Sequence, residues 1–113
     1  MHELSLCKNM VAIILNHAEQ LAGKSIKIIH IEIGELIAVE SATFLFNFNV
    51  IKKATILEKS QLNMITILGQ AFCETCQQVI RISSYYQPCT LCGNFSLKII
   101  AGQELRVKSM EVE

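Results

Sequence analysis

Five cysteines stand at positions 7, 73, 76, 89 and 92. Four of them form two pairs, Cys73-Glu74-Thr75-Cys76 and Cys89-Thr90-Leu91-Cys92, with twelve residues between the pairs. Each CxxC turn brings two thiolates to one point, and the intervening segment can fold back as a hairpin. Two such pairs together make a tetrahedral four-sulfur cage, whose usual occupant is Zn²⁺ with sulfurs at about 2.3 Å. Gly93 follows the second pair, where the turn needs positive φ. Pro88 stiffens the approach. Gln77 occupies the corresponding position after the first pair and suits it less well. A closed Cys₄ cage has no free position for a substrate, so its metal would be structural, not catalytic.

Other readings of the same residues carry different chemistry. A disulfide framework conflicts with a reducing cytoplasm. A thioredoxin-like redox motif needs one CxxC, not two facing pairs. Iron takes the same four ligands, which leaves a rubredoxin-like electron carrier open. A zinc-ribbon module for binding protein or nucleic acid is also open. Against nucleic acid, residues 71–103 contain only Arg81 and Lys98 as cations. Cys7 stands apart, on a helical face with Met10, Val11, Ile14 and Leu21, where a thiol is a small core residue.

The amino terminus offers a second set of donors. The chain opens Met1-His2-Glu3. A free α-amine has a pKa of about 7.7–8.0, so it can lose its proton near neutrality. The backbone nitrogen of His2 closes a five-membered chelate ring with that amine, and the imidazole adds a third nitrogen. Glu3 can contribute its backbone nitrogen or its carboxylate. Such nitrogen-rich surroundings suit Ni(II) or Cu(II) better than Zn²⁺. A bulky residue at position 2 should keep Met1 in place. Taken alone, the triplet is also compatible with chance. His17, mid-helix, and His30, in an apolar strand, read as ordinary hydrogen-bonded imidazoles. No histidine follows position 30.

Composition bounds the rest. With 113 residues, 51% of them hydrophobic and 18% charged, the chain can bury a core as one domain with a small module. Ten basic residues balance ten acidic ones, which argues against a phosphate-binding surface. The mean hydropathy is +0.40. Yet the longest wholly apolar run, Met10 to Leu15, is six residues, and a spanning helix needs about 20. No signal-peptide pattern opens the chain. A cytoplasmic protein without membrane attachment is expected.

The elements that must position these groups follow from periodicity. Leu4, Cys7, Met10, Val11, Ile14, Ala18 and Leu21 recur at helical steps, predicting a helix from Leu4 to Ala22 stopped by Gly23. Ser25–Glu32 reads as an Ile-rich strand ended by Gly34. A second helix is predicted over Ser41–Lys53, capped by Ser41, with Phe44, Leu45, Phe48 and Ile51 on one side. Gln61–Gly69 reads as a strand, Val79–Ser83 and Phe95–Ile100 as small strands of the metal ribbon, and Glu104–Val112 as a closing strand that returns to the first sheet. The predicted class is α+β: a small mixed sheet with two helices on one face, plus an inserted Cys₄ zinc-ribbon module. The expected division is residues 1–69 plus 104–113 as a nickel-binding domain and 70–103 as a zinc-binding domain. Oligomeric state stays open between monomer and homodimer, with an Ile- and Leu-rich sheet edge as a surface for either self-association or docking.

Met1-His2-Glu3-Leu4-Ser5-Leu6-Cys7, Glu32-Ile33-Gly34-Glu35-Leu36, the two CxxC pairs and Gly102-Gln103-Glu104-Leu105-Arg106-Val107-Lys108-Ser109 occur in order along the whole chain. Together they resemble the HypA/HybF nickel-insertion proteins of [NiFe]-hydrogenase maturation. The resemblance implies a metallochaperone and not an enzyme. It implies Ni(II) on Met1, His2 and Glu3, structural zinc on Cys73, Cys76, Cys89 and Cys92, and delivery to the hydrogenase large-subunit precursor. It further implies cooperation with a HypB-type GTPase and, in some members, service to urease maturation proteins. The stretch Ile37-Ala38-Val39-Glu40 departs from the family's glycine-containing turn before the second helix.

Overall fold

The computed structural model describes residues 3–21 and 23–113. Helix α1 spans Glu3–Ala18 and continues as one 3₁₀ turn, Glu19–Leu21. Strand β1 (Ile26–Gly34) leads through a 3₁₀ turn, Glu35–Ile37, into α2 (Ser41–Ile51). Strands β2 (Gln61–Ile67), β3 (Gln70–Cys73), β4 (Gln78–Arg81), β5 (Leu97–Ala101) and β6 (Leu105–Val112) follow. Two three-stranded sheets result, ordered β2-β1-β6 and β4-β3-β5. The α+β expectation therefore holds, and the closing strand does return to β1. Among the described residues, no helix is long and apolar enough to cross a membrane.

The chain divides into two compact units. The first comprises Met1–Glu32, Val39–Ile65 and Arg106–Glu113; the second comprises Ile33–Ala38 and Thr66–Leu105. The short segment after β1 thus joins the unit that holds the cysteine pairs.

In the first unit, the buried stripe of α1 is Cys7, Met10, Val11, Ile14 and Ala18, at the three- and four-residue steps that put one helix face inward. Leu4 was expected on that stripe, but it is 47% exposed. On α2, Phe44 and Phe48 are fully buried, whereas Leu45 is 38% exposed and does not share their side. The cap of α2 is Glu40, not Ser41: its Oε1 accepts from Thr43 N at 3.3 Å. In β1, Ile29, Ile31 and Ile33 are buried while His30 and Glu32 between them are half-buried, the period-two pattern of a sheet with one dry face. Strands β1 and β6 are antiparallel, since Glu113 N donates to Ser25 O (2.9 Å) and Gly34 N to Glu104 O (2.6 Å). Strands β1 and β2 advance together, with Ser60 Oγ on Ile26 O and Asn63 on His30. The sheet is therefore mixed.

The second unit contains a strand the periodicity did not reveal, β3. Its residues pair antiparallel with both neighbours, Ala71 lying between Ile80 of β4 and Ile99 of β5. Four chain segments approach tightly in this unit: a Cβ on Gly34 would sit 2.0 Å from Gly102 O, and one on Gly69 2.2 Å from Ile82 O. Only a missing side chain permits backbones to approach so closely.

Ala38 closes the Glu35–Ile37 turn with φ 53° and ψ 42°. That left-handed conformation costs an L-residue roughly 1–2 kcal/mol, partly offset by glycine's larger unfolded-state entropy of about 0.5–1 kcal/mol. Ala38 is exposed and packs nothing away. Ala38→Gly is expected to stabilise the protein by about 0.5–1 kcal/mol, read as a higher urea midpoint at unchanged slope. A lower midpoint would contradict the left-handed turn.

Candidate metal centre

Strand β3 ends at Cys73 and β4 begins at Gln78, so the first CxxC is itself the hairpin turn. The second pair lies in the turn region before β5. The two turns are built alike. Gln77 N donates to Cys73 O at 2.8 Å, and Gly93 N donates to Cys89 O at 2.8 Å. The donating residue is left-handed in both, φ 56° at Gln77 and 76° at Gly93. Glycine serves this conformation without cost; Gln77 adopts it with its side-chain Nε2 donating to Glu74 O at 2.7 Å.

The four Sγ atoms converge and all lie within 4.8 Å of one another. Cys73 and Cys92 sulfurs are 3.6 Å apart, and those of Cys76 and Cys89 are 3.7 Å apart. A tetrahedron with metal–sulfur bonds of about 2.3 Å has edges of about 3.8 Å, so the cage matches a metal such as zinc. No disulfide links them.

The surroundings prepare thiolates unequally. Burial raises the Cys89 thiol, but backbone N–H groups of Cys92 and Leu91 donate to its sulfur and prevail, lowering it to about 6. Burial and sulfur hydrogen bonds with Cys73, Cys89 and Cys92 push Cys76 up to about 12. Cys92 is displaced upward as well: an N–H at Asn94 pulls it down, but burial and neighbouring sulfurs outweigh that.

Beneath the cage, Leu36, Ala71, Ile80 and Ile82 pack with Cys73 and Cys89 into one apolar cluster. The preceding Glu35 is pinned on both oxygens, Oε1 accepting from Gly69 N and Oε2 from Arg81, each at 2.9 Å. The Gly34-Glu35-Leu36 segment thus supports the cysteine hairpins. Its role was not anticipated from the residues, because its partners lie far along the chain. Cys7 is wholly buried, as expected of a core thiol, and burial raises it to about 11.

Met1 and His2 of the expected nickel set lie outside the described residues. Glu3 opens α1, so its backbone N–H belongs to the first turn, which has no intrahelical acceptor. Its carboxylate Oε2 accepts from Glu40 N at 3.3 Å, at the start of α2. His30 is held between Glu111 Oε2 at 2.6 Å and Asn63 Nδ2 at 2.9 Å, the hydrogen-bonded imidazole expected there. His17 is exposed on α1.

Comparison with known proteins agrees with this architecture. A family model described as hydrogenase/urease nickel incorporation, metallochaperone, HypA, matches residues 1–112. The hydrogenase maturation factor HypA of Legionella pneumophila (strain Lens) is 44% identical over 113 residues, covering all of both chains. That of Acidithiobacillus ferrooxidans (strain ATCC 53993 / BNL-5-31) is 35% identical, again over the full length of both. The solution structure of the nickel metallochaperone HypA from Helicobacter pylori superposes with a TM-score of 0.68 at 25% identity, covering 98% of this chain and 97% of that one. A second HypA solution structure, 23% identical, shares the fold at a TM-score of 0.72. With its two helices, mixed sheet and four-cysteine cage, the chain belongs to the HypA family of nickel metallochaperones for hydrogenase maturation.

Proposed function

We propose that the protein binds Ni(II) through the Met1 amine, the backbone nitrogen and imidazole of His2, and Glu3, and delivers it to the hydrogenase large-subunit precursor. A HypB-type GTPase is the proposed partner in delivery. Urease is a second client class, favoured by the family description that names it beside hydrogenase. Zinc on Cys73, Cys76, Cys89 and Cys92 is assigned a structural role, so residues 70–103 act as the zinc-binding domain, and 1–69 with 104–113 as the nickel-binding domain, in the cytoplasm.

The observation that carries this reading is full-length membership of a nickel-incorporation family in a chain that opens Met1-His2-Glu3. Glu3 supports it in detail. Because its carboxylate is engaged with Glu40 N, its backbone nitrogen is the freer donor. Nickel is cargo, and so must be held and then released. A chelate drawn from consecutive residues at one end leaves coordination positions for donors on the receiving protein, and transfer proceeds by ligand exchange. Affinity alone cannot sort the metals, since Cu(II) outcompetes Ni(II) at most nitrogen sites. Selectivity then falls to the partners.

The test is a nickel-binding isotherm on untagged protein whose zinc content has been measured. Saturable nickel binding with one zinc retained on the thiolates supports the assignment. Nickel that displaces zinc, without a separate site, refutes it.

A further inference from the structure

The mixed sheet has two edges, and their chemistry differs. Its order is β2-β1-β6, so β2 and β6 are the outer strands. Strand β6 carries Arg106, Lys108 and Glu111 along its length, the kind of charges with which natural sheets discourage further pairing. Strand β2, Gln61-Leu62-Asn63-Met64-Ile65-Thr66-Ile67, has no charge, no proline and no glycine. None of its residues is buried, and Leu62, Met64 and Ile65 are half-buried. Among the described residues only β1 lies beside it, so the backbone groups that point away from β1 are left to water. The strand is nonetheless fixed in place from within. Ser60 Oγ donates to Ile26 O at 2.6 Å, and Asn63 Nδ2 meets His30 Nδ1 at 2.9 Å. An edge held in register, uncharged and half apolar is preorganised to accept another strand.

We propose that β2 receives an extended segment of a partner protein as an added antiparallel strand, whose acidic carboxyl end lies on Lys59. The start of β2 is where the surface turns basic: Lys59 and Lys27 border one cleft with Ile28 and Gln61. Lys27 is engaged with Glu113 at 2.8 Å, while Lys59 is exposed and makes no ion pair among the described residues. Antiparallel pairing is slightly the more stable per residue, and it sets the carboxyl end of the incoming segment at the start of β2. Alternation along the strand puts Leu62 and Met64 on the side of buried Ser60, and Asn63 on the opposite side with His30. The recognised segment therefore alternates, apolar against Leu62 and Met64, polar against Asn63, with carboxylates at its end. Main-chain bonds supply the affinity and the side chains the specificity. The assignment does not depend on where nickel binds.

A displayed library of random peptides of about ten residues, selected against the full-length, zinc-loaded protein, tests this. Enriched peptides are expected to lack proline, to alternate apolar and polar residues, and to end in Asp or Glu. A synthetic copy of the most enriched peptide should slow hydrogen exchange at alternate amides of β2 and leave those of β6 unchanged. In an added strand only every second peptide N–H faces β2. N-methylating that set should weaken binding at least ~10-fold, and N-methylating the other set should change it little. Lys59→Glu should weaken binding several-fold at low salt, and the difference should fade near ~0.5 M salt as screening removes the end contact. No enrichment, binding indifferent to which set is methylated, protection outside β2, or Lys59→Glu protein that binds equally at low salt would each overturn the proposal. Protection of β2 amides that rises with protein concentration alone would also overturn it, giving the edge to a second copy of the chain.

Discussion

Cys73→Ser is expected to collapse the second unit and to abolish stoichiometric zinc. Cys73 is wholly buried and Cys89 only 2% exposed, inside the same small cluster as Leu36, Ala71, Ile80 and Ile82. A unit this small has little apolar surface to bury, and such units generally depend on metals or cross-links. Structural zinc contributes an apparent 10–16 kcal/mol to small zinc folds, comparable to or larger than the whole 5–15 kcal/mol of a typical domain. Losing one of four ligands while leaving a hydroxyl against apolar neighbours removes most of that. Hydrogen exchange should show the amides of β3, β4 and β5 losing protection, with α1 amides retained. A strong chelator applied to the wild type should reproduce the pattern. Cys7→Ala is the control: its thiol is buried outside the cage, so zinc stoichiometry should stay at one. Protected β3–β5 amides in zinc-free Cys73→Ser protein would show that the metal is dispensable.

The same cage makes a statement about protons. With Cys76 pushed up to about 12 and Cys92 also raised from 9.0, both are thiols at pH 7 in the metal-free protein, while Cys89, lowered to about 6, is already largely thiolate. Metal binding at pH 7 must therefore expel at least the Cys76 and Cys92 protons, so at least two per ion. Proton release makes zinc affinity rise with pH and fall in acid. Calorimetry in buffers of different ionisation enthalpy counts the protons directly. A count of zero would contradict this division of the thiols.

How much of this was legible in the residues depends on how local each signal was. The CxxC pairs announced their cage, because a turn of four residues fixes two sulfurs whatever surrounds it. Helix α1 was legible through its Cys7-Met10-Val11-Ile14-Ala18 stripe, though Leu4, in the first turn, points away from the core. Helix α2 was harder. Apolar residues lie on both its faces, so the pattern has no clear phase, and Leu45 was assigned inward when only Phe44 and Phe48 are buried. Strand β3 escaped notice because Gln70–Cys73 is four residues long and follows Gly69 directly. The grip of Gly69 and Arg81 on Glu35 spans 34 and 46 positions of chain; no periodicity within a short window encodes such a pairing. The His30–Glu111 contact spans 81, and only the imidazole's need for partners could be foreseen.

His2→Ala is expected to abolish tight nickel binding without unfolding the protein. The substitution removes the imidazole, and with it the nitrogen that distinguishes this terminus from any other chain end. Adding two glycines before Met1 should be as damaging. It converts the amine into an amide nitrogen and moves the free amine two residues away, so the five-membered ring no longer includes His2; one glycine would instead set His2 third from the amine, where two amide nitrogens complete a new square-planar nickel chelate. Losing one nitrogen of a chelate commonly weakens it by orders of magnitude, so affinity should fall at least ~100-fold in each variant, the upper range seen for losses around metal sites. Zinc content and melting temperature should stay near wild type, because neither change touches the cysteine cage. The wild type should also lose nickel as pH falls from 8 to 6. An α-amine with a pKa of about 7.7–8.0 and an imidazole near 6.5 must both be unprotonated to bind, and protons compete for both across that window. A glycine-extended protein that binds nickel at wild-type affinity, or a pH titration that stays flat, would exclude the amine as a ligand. Glu3→Gln separates the remaining alternatives: it keeps the backbone nitrogen and removes the carboxylate charge, so near-native nickel affinity is expected if the carboxylate's task is its hydrogen bond from Glu40 N.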